Sequence, residues 1–251
     1  MKEFLLNISG QFSGVNIQTK SFIASFVFTV FLGLIIVPIL RKLKVGQVVR
    51  DDGPQSHLKK TGTPTMGGII MLIVAIVVSV LVGLKHTNIL PVTMVTLGFG
   101  LIGFIDDFKK LVLKNPKGLS PKLKMIGLII VSCAFVGYLL YSGFGTDMYI
   151  PIIKTYINLP VVVYFAFMVF TMVACTNSLN LTDGLDGLAS GVTAIIMIFF
   201  IFVSMAWGNK EMSTFSAIIA GSTIGFLLFN LYPARVFMGD TGSLALRRSF
   251  L

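Results

Sequence analysis

The sequence predicts an all-α, polytopic integral membrane protein, and three observations lead to that fold class. First, only 12% of the 251 residues are charged and 55% are hydrophobic, with a mean hydropathy of +0.91, whereas a soluble domain carries about 25% charged residues. Second, seven uncharged stretches have roughly the 20 residues that a helix needs to cross a bilayer. Third, no repeat or low-complexity linker divides the chain, so residues 1–251 are predicted to form one membrane domain.

The predicted spans begin after a polar N-terminal segment. Residues 4–19 carry no charge, but polar side chains interrupt them too often for a span. No basic segment followed by a small-residue cleavage site precedes the first span, which predicts a retained helix and not a signal peptide. The spans are, in order, 21–40, 66–84, 86–105, 125–146, 155–182, 187–209 and 212–234.

The lysines and arginines predict the orientation of these spans. Seven spans place alternate loops on opposite sides, and one set of loops holds fifteen of the 20 basic residues. The positive-inside rule assigns that set to the cytoplasm, which leaves the N-terminus outside. Seven of the ten acidic residues lie in the same loops. Because the rule does not account for acidic residues, these aspartates are candidate functional residues.

The first candidate motif is Asp106-Asp107 at the end of the third span, followed by Lys110 and Lys114. In a continuous helix the two aspartates precede Lys110 by four and three residues, which places both charges on one face. Adjacent carboxylates repel unless a cation lies between them, and Mg²⁺ typically takes one or two carboxylates plus substrate phosphates. The alternative is a helix end whose acidic and basic residues pair for solubility.

The second candidate motif closes the fifth span. Asn177, Asn180, Asp183 and Asp186 follow one another at intervals of three residues, and the neighbouring glycines let a ligand approach the backbone. This loop contains no lysine or arginine. Uncompensated aspartates at a membrane edge favour a ligand site, and a plain turn is the alternative.

The third candidate motif surrounds Asp240, which lies between Gly239 and Gly242. Such an amide-rich turn can hold an anion or a metal-bridged phosphate. The Asp-Thr-Gly-Ser string is also found in aspartic proteases, but those enzymes need a second, partnered aspartate that shares a proton.

Other patterns exclude several functions. The Gly98-x-Gly100-x-x-Gly103 pattern lies inside an apolar span with no preceding strand, so it indicates helix packing and not dinucleotide binding, as does Gly221-x-x-x-Gly225. The basic residues lack interleaved aromatics, which argues against a nucleic acid partner. A transporter more often places its ionisable residues near the bilayer midplane, whereas here they lie at span edges and in loops.

Together these motifs resemble the polyprenyl-phosphate sugar-phosphate transferases. Residues 50–68, RDDGPQSHLKKTGTPTMGG, resemble the first cytoplasmic loop of members that use UDP-N-acetylmuramoyl-pentapeptide. The Asp106-Asp107 pair and the segments 180–186 and 230–243 match the family's motifs in order and spacing. The likeness continues through Leu246.

The resemblance implies roles for the matched residues. The acidic catalytic centre corresponds to Asp106, Asp107 and Asp240, with Asp240 as the Mg²⁺ ligand. The residues that serve the diphosphate correspond to Lys110, Lys114 and Lys122. The uridine-contacting set corresponds to Lys60, Asp183, Gly184, Leu185, Asp186 and Phe237. Further polar positions of the same cleft correspond to Thr65, Asn180 and Asn230.

The resemblance also implies a reaction. Undecaprenyl phosphate in the bacterial plasma membrane attacks the β-phosphate of UDP-N-acetylmuramoyl-pentapeptide at the cytoplasmic face and releases UMP. Two mechanisms fit: Asp106 deprotonates the lipid phosphate for direct attack, or a carboxylate of the Asp106-Asp107 pair forms a covalent intermediate. Mg²⁺ is the implied cofactor, the bilayer is a partner, and the family forms homodimers. Two alternatives are a sister transferase that uses UDP-N-acetylglucosamine, disfavoured by residues 61–68, and an inactive remnant of the fold.

The family has ten spans, and this sequence supplies seven and the start of another. After Leu246 the family has small residues that open a further helix, whereas this chain has Arg247 and Arg248. The sequence therefore predicts a chain truncated at its C-terminus.

Overall fold

A computed structural model describes residues 16–43, 63–84, 87–111, 113, 118–150 and 152–246. Within these ranges the α-helices, numbered in chain order, are α1 Ile17–Lys42, α2 Gly68–Gly83, α3 Leu90–Leu111, α4 Pro121–Tyr141, α5 Val161–Thr182, α6 Leu188–Ala206, α7 Lys210–Asn230 and α8 Gly239–Ala245. A 3-10 helix, Thr87–Ile89, precedes α3. The strands β1 Asp147–Ile150 and β2 Thr155–Asn158 form an antiparallel hairpin between α4 and α5.

The helices have the length and surface of a membrane bundle. Among the described residues, α1 and α3 to α7 are long and apolar enough to cross a membrane, while α2 is apolar but has 16 residues. Large apolar side chains cover the outside; on α5, Val162 is 80% exposed and Phe170 is 70% exposed. The chain is thus a multi-pass, mainly helical membrane protein. The count of seven spans and the outward N-terminus stay predictions.

The central helix of the bundle is α7, which packs against α1 and α6. Fifteen of its 21 residues are buried. A side chain at Gly221 would collide with the backbone carbonyl of Phe22, and one at Gly225 with that of Phe26. These glycines let α1 approach closely, which confirms their interpretation as packing residues.

The short helix α8 packs against α2 and α3. A side chain at Gly103 on α3 would collide with the backbone carbonyl of Asp240, and one at Gly68 on α2 would collide with the backbone of Gly242. The packing role predicted for Gly103 is therefore confirmed. Its partner is the backbone at the start of α8, so this glycine also sets the position of Asp240.

The hairpin corrects the predicted span 155–182. Thr155–Asn158 pairs with Asp147–Ile150, and α5 begins only at Val161. The proline at position 160 disfavours helix at the residue before it, and strands favour aromatic and β-branched residues. Tyr149 and Tyr156 face each other across the strands, with ring centroids 5.1 Å apart. The fold class therefore needs one addition, a two-stranded hairpin between two helices.

Candidate active site

Three aspartates from two helices meet at one end of the bundle. Asp106 and Asp107 lie near the C-terminal end of α3, and Asp240 lies in the first turn of α8. One carboxylate oxygen from each lies within 4.8 Å of the other two. Asp106 and Asp107 are buried, and the side chain of Asp240 is 16% exposed. The structure thus brings together the three residues predicted for the acidic centre.

Lys110 forms ion pairs with two of these carboxylates. Its Nζ lies 2.6 Å from Oδ2 of Asp106 and 2.8 Å from Oδ2 of Asp240. The contact with Asp106 is the predicted pairing of residues four apart on one helix. Because Lys110 also reaches Asp240, it joins the end of α3 to the start of α8 and offsets the repulsion between the two carboxylates.

A second lysine of the cluster, Lys124, is not among the residues predicted from the sequence. It lies in the first turns of α4, with its Nζ 3.2 Å from Oδ2 of Asp240 and 4.0 Å from Oδ2 of Asp106. Lys122, which the resemblance assigns to the diphosphate, is exposed and lines a shallow, mostly apolar surface of α4. Its role at the diphosphate stays a prediction. The feature of the sequence that could have identified Lys124 is its position along the helix relative to Leu128. Lys124 precedes the fully buried Leu128 by four residues and so shares the inward face of α4.

Polar side chains surround the carboxylate of Asp240. Asn180 donates from Nδ2 to Oδ1 at 2.9 Å, while Lys110 and Lys124 both face Oδ2. Burial raises the pKa of the Asp240 carboxyl, but its hydrogen bond with Asp106 and the charges of the two lysines lower it more. The pKa of Asp240 therefore lies well below its usual range, and this carboxylate is ionised at neutral pH.

Asp107 has different partners. Its Oδ2 accepts from the backbone N–H of Thr241 at 2.8 Å and from the hydroxyl of Thr241 at 2.6 Å. Its Oδ1 accepts from the backbone N–H of Asp240 at 3.2 Å. The first N–H groups of a helix lack intrahelical acceptors and attract negative charge. Asp107 therefore fixes the start of α8 and, through it, Asp240; its predicted catalytic role stays a prediction.

The segment that enters α4 holds Asp106. The backbone N–H of Leu119 donates to Oδ1 of Asp106 at 2.6 Å. Gly118 has a φ of 58°, and a Cβ there would lie 2.5 Å from Oδ1 of Asp106 and 2.7 Å from Cε of Lys110. This turn requires glycine both for its conformation and for its closeness to the cluster.

Thr65 lies beside the acidic cluster, and its role in the substrate cleft stays a prediction. It is 3% exposed. A Cβ built on Gly239 would lie 2.8 Å from Oδ2 of Asp107 and 2.9 Å from Oγ1 of Thr65. Gly239 has a φ of 74°, so its conformation also favours glycine. The start of α8 therefore packs directly between Thr65 and Asp107.

The predicted uridine set lies on two neighbouring turns. Residues 183–186 form the turn between α5 and α6, where Leu185 is 57% exposed. Oδ2 of Asp186 accepts from the backbone N–H of Ala234 at 3.1 Å, which joins this turn to residues 231–238. Phe237 is partly buried in that second segment, and its backbone N–H donates to the carbonyl of Pro64 at 2.8 Å.

The remaining predicted residues are Asn230, Lys60 and Lys114. Asn230 is 1% exposed, and its amide is hydrogen-bonded to Ser190 and to the carbonyl of Val236. Lys60 and Lys114 lie outside the described residues. Their assignments to the substrate stay predictions.

The donor set of the cluster fits a divalent cation such as Mg²⁺. Mg²⁺ prefers oxygen ligands and combines carboxylates with substrate phosphates. Asp106, Asp107 and Asp240 offer oxygens close enough to share one ion. Asp240 is the most exposed of the three and is the candidate first ligand.

A groove of about 230 Å³ opens beside the cluster, between α4 and α5. Its polar lining includes Lys124 and Asn180, both of which contact Asp240. Its apolar lining comprises Pro121, Met125, Leu128 and Leu181. The groove beside the acidic cluster therefore has both polar and apolar lining.

A protein-family match identifies the class of protein to which this chain belongs. Residues 89–248, more than half of the chain, match the model of glycosyl transferase family 4. A multi-pass helical bundle with this match is a membrane transferase of that family.

The relatives narrow the class further. Phospho-N-acetylmuramoyl-pentapeptide-transferase of Acetivibrio thermocellus is 51% identical over 227 residues, which cover 90% of this chain and 68% of the relative. The same enzyme of Clostridium acetobutylicum is 47% identical, over 90% of this chain and 71% of the relative. That of Clostridioides difficile is 47% identical, over 93% and 73%. The chain therefore belongs to glycosyl transferase family 4 and, within it, to the phospho-N-acetylmuramoyl-pentapeptide-transferases.

Proposed function

We propose that this protein transfers phospho-N-acetylmuramoyl-pentapeptide from its UDP conjugate to undecaprenyl phosphate. The observation that carries the proposal is the joining of Asp106, Asp240, Lys110 and Lys124 at one end of a membrane bundle. Phosphoryl transfer needs alignment and charge neutralisation more than covalent chemistry from the protein. Lysines and metal-binding carboxylates are the groups that provide both.

In the proposed reaction a phosphate oxygen of the lipid attacks the β-phosphorus of the donor. The bond between that phosphorus and the oxygen bridging to the α-phosphate breaks, and UMP leaves with the bridging oxygen. The lipid then carries the sugar through a diphosphate. Lys110 and Lys124 are proposed to bind the donor diphosphate, and Asp106 is proposed to accept any proton held by the lipid phosphate.

The metal and the nucleotide have separate proposed sites. Asp240, with Asp106 and Asp107 beside it, would hold Mg²⁺, which supplies positive charge to the phosphate oxygens. The turn at residues 183–186 and the side chain of Phe237 are proposed to bind uridine, the latter by stacking. The turn and the segment that carries Phe237 are joined by the hydrogen bond between Asp186 and Ala234.

The location of the site supports a lipid acceptor. The groove beside Asp240 has both polar and apolar lining, which suits a phosphate attached to a polyprenyl chain. We place the cluster at the cytoplasmic face of the plasma membrane, because its residues belong to the loops that carry most of the lysines and arginines.

The direct test is transfer of radiolabel from donor to lipid. Purified protein in detergent with Mg²⁺ should convert labelled UDP-N-acetylmuramoyl-pentapeptide and undecaprenyl phosphate into a labelled lipid, with one UMP released per lipid formed. Chelation of Mg²⁺ should abolish the product. Labelled UDP-N-acetylglucosamine should give no lipid product; faster transfer from this second donor would favour the sister transferase. A folded protein that transfers neither sugar would contradict the proposal.

A further inference from the structure

Ser190 lies in the first turn of α6 and is fully buried. Its Oγ donates to Oδ1 of Asn230 at 2.7 Å, and the carbonyl of Gly187 lies 3.3 Å away as a weaker acceptor. Several other buried hydroxyls of the described helices, those of Ser132, Thr176, Thr193 and Ser222, bond only to carbonyls of their own helix. The hydroxyl of Ser190 instead reaches across to the last residue of α7.

Asn230 links Ser190 to the residues that follow α7. It ends α7, is 1% exposed, and donates from Nδ2 to the carbonyl of Val236 at 3.0 Å. The amide of Asn230 can serve both partners in one orientation only, with oxygen toward Ser190 and nitrogen toward Val236. If the amide turned over, two oxygens would face each other at Val236, and a buried carbonyl would lose its donor.

Val236 is the buried anchor of residues 231–238, which we call the 231–238 segment. Val236 itself is fully buried, whereas Leu231 and Tyr232 at the start of the segment are exposed. The segment carries Phe237 and leads directly into Asp240. Its conformation therefore sets the position of both the proposed uridine contact and the proposed metal ligand.

We propose that Ser190 is a positioning residue for the donor nucleotide, acting through Asn230. Its hydroxyl donates to Oδ1 of Asn230 and so restrains that side chain, and the amide holds the 231–238 segment in the conformation that presents Phe237. The part concerning the nucleotide rests on the proposed function. The effect of Ser190 on the 231–238 segment does not.

Limited proteolysis with trypsin tests the effect of Ser190 on the 231–238 segment, and it does not depend on transferase activity. Arg235 is exposed but is followed by the buried Val236, so cleavage between them requires the segment to open locally. Loss of one buried hydrogen bond with its acceptor left unpaired predicts about 5- to 30-fold faster cleavage in Ser190→Ala. Ser222→Ala is the matched control, because Ser222 is equally buried and bonds only to its own helix at Ile219. Equal cleavage rates in both variants would overturn the proposal.

Steady-state kinetics test the effect of Ser190 on binding of the donor nucleotide. Ser190→Ala should raise the KM for the UDP-linked donor by about tenfold while the KM for the lipid acceptor changes less than about twofold. In an Asn230→Ala background the same substitution should have no further effect on the donor KM. An undiminished effect in that background, or an equal rise in both KM values, would show that Ser190 does not act through Asn230. If the wild-type chain shows no transferase activity but Ser190→Ala is still cleaved faster than wild type, only the proposed function is refuted.

Discussion

Replacing Lys124 with glutamine tests the arrangement of charges at Asp240. Oδ2 of Asp240 lies 3.2 Å from the ammonium of Lys124 and 2.8 Å from that of Lys110. Glutamine keeps most of the length and the hydrogen-bonding ability of the side chain but removes the charge. Lys110 remains, so the carboxylate keeps one ion pair and the cluster should stay assembled.

The expected loss follows from the role of the charge. A fixed donor aimed at charge that develops in the transition state is worth about 10²- to 10³-fold in kcat, or about 2.7–4 kcal/mol. The side chain of Lys124 is 20% exposed, so water screens it only partly. We therefore expect Lys124→Gln to reduce kcat for lipid formation by about 10²-fold or more, with a smaller change in melting temperature.

Lys122→Gln provides the comparison, because the resemblance assigns Lys122 to the diphosphate whereas the structure gives it no contact with the acidic cluster. Lys122 lies two residues away on the same helix and is exposed on another face. Because a surface substitution of this kind usually changes little, kcat should stay within about threefold of wild type. The assay is the rate of radiolabel transfer at saturating donor and acceptor. A large loss in Lys122→Gln with a small loss in Lys124→Gln would refute the assignment of Lys124.

Two further predictions concern the short helix α8. Asp107→Asn leaves at least one backbone N–H of α8 facing an amide NH₂ and removes the negative charge at the helix start, which should destabilise the fold by about 2–4 kcal/mol; an unchanged unfolding transition in detergent would contradict this role. Gly103→Ala places a methyl group against the backbone of Asp240 and should lower both stability, by about 1–3 kcal/mol, and turnover. Gly137→Ala on α4 meets nothing within 4 Å and is the control that should match wild type.

Hydropathy predicted the helices well but could not predict the hairpin. Each of the seven predicted spans overlaps an observed helix along most of its length, because a charge-free stretch of about 20 residues has few alternatives in a bilayer. Residues Thr155–Asn158 are equally uncharged but form a strand. A short apolar run does not by itself distinguish strand from helix. Pro160 was the local signal that the helix begins later.

The acidic cluster and Lys110 could largely be predicted from the sequence, whereas Lys124 and the contacts that support the cluster could not. Asp106 and Asp240 carry recognisable neighbours, and the spacing from Asp106 to Lys110 predicts their ion pair. Placing Lys124 at the cluster requires the rotation of α4 about its axis, which depends on the buried contacts of Leu128. The contact between Ser190 and Asn230 depends on how α6 packs against α7, and no local pattern indicates it.

Asp106→Asn and Asp240→Asn together give the most direct test that the cluster is the reaction centre. Both substitutions keep the size of the side chain and remove its charge. Each should reduce Mg²⁺-dependent transfer to undecaprenyl phosphate by at least about 10²-fold, while the protein still inserts into the membrane and is extracted in folded form. Near-normal transfer by both variants would contradict the assignment of the cluster as the reaction centre.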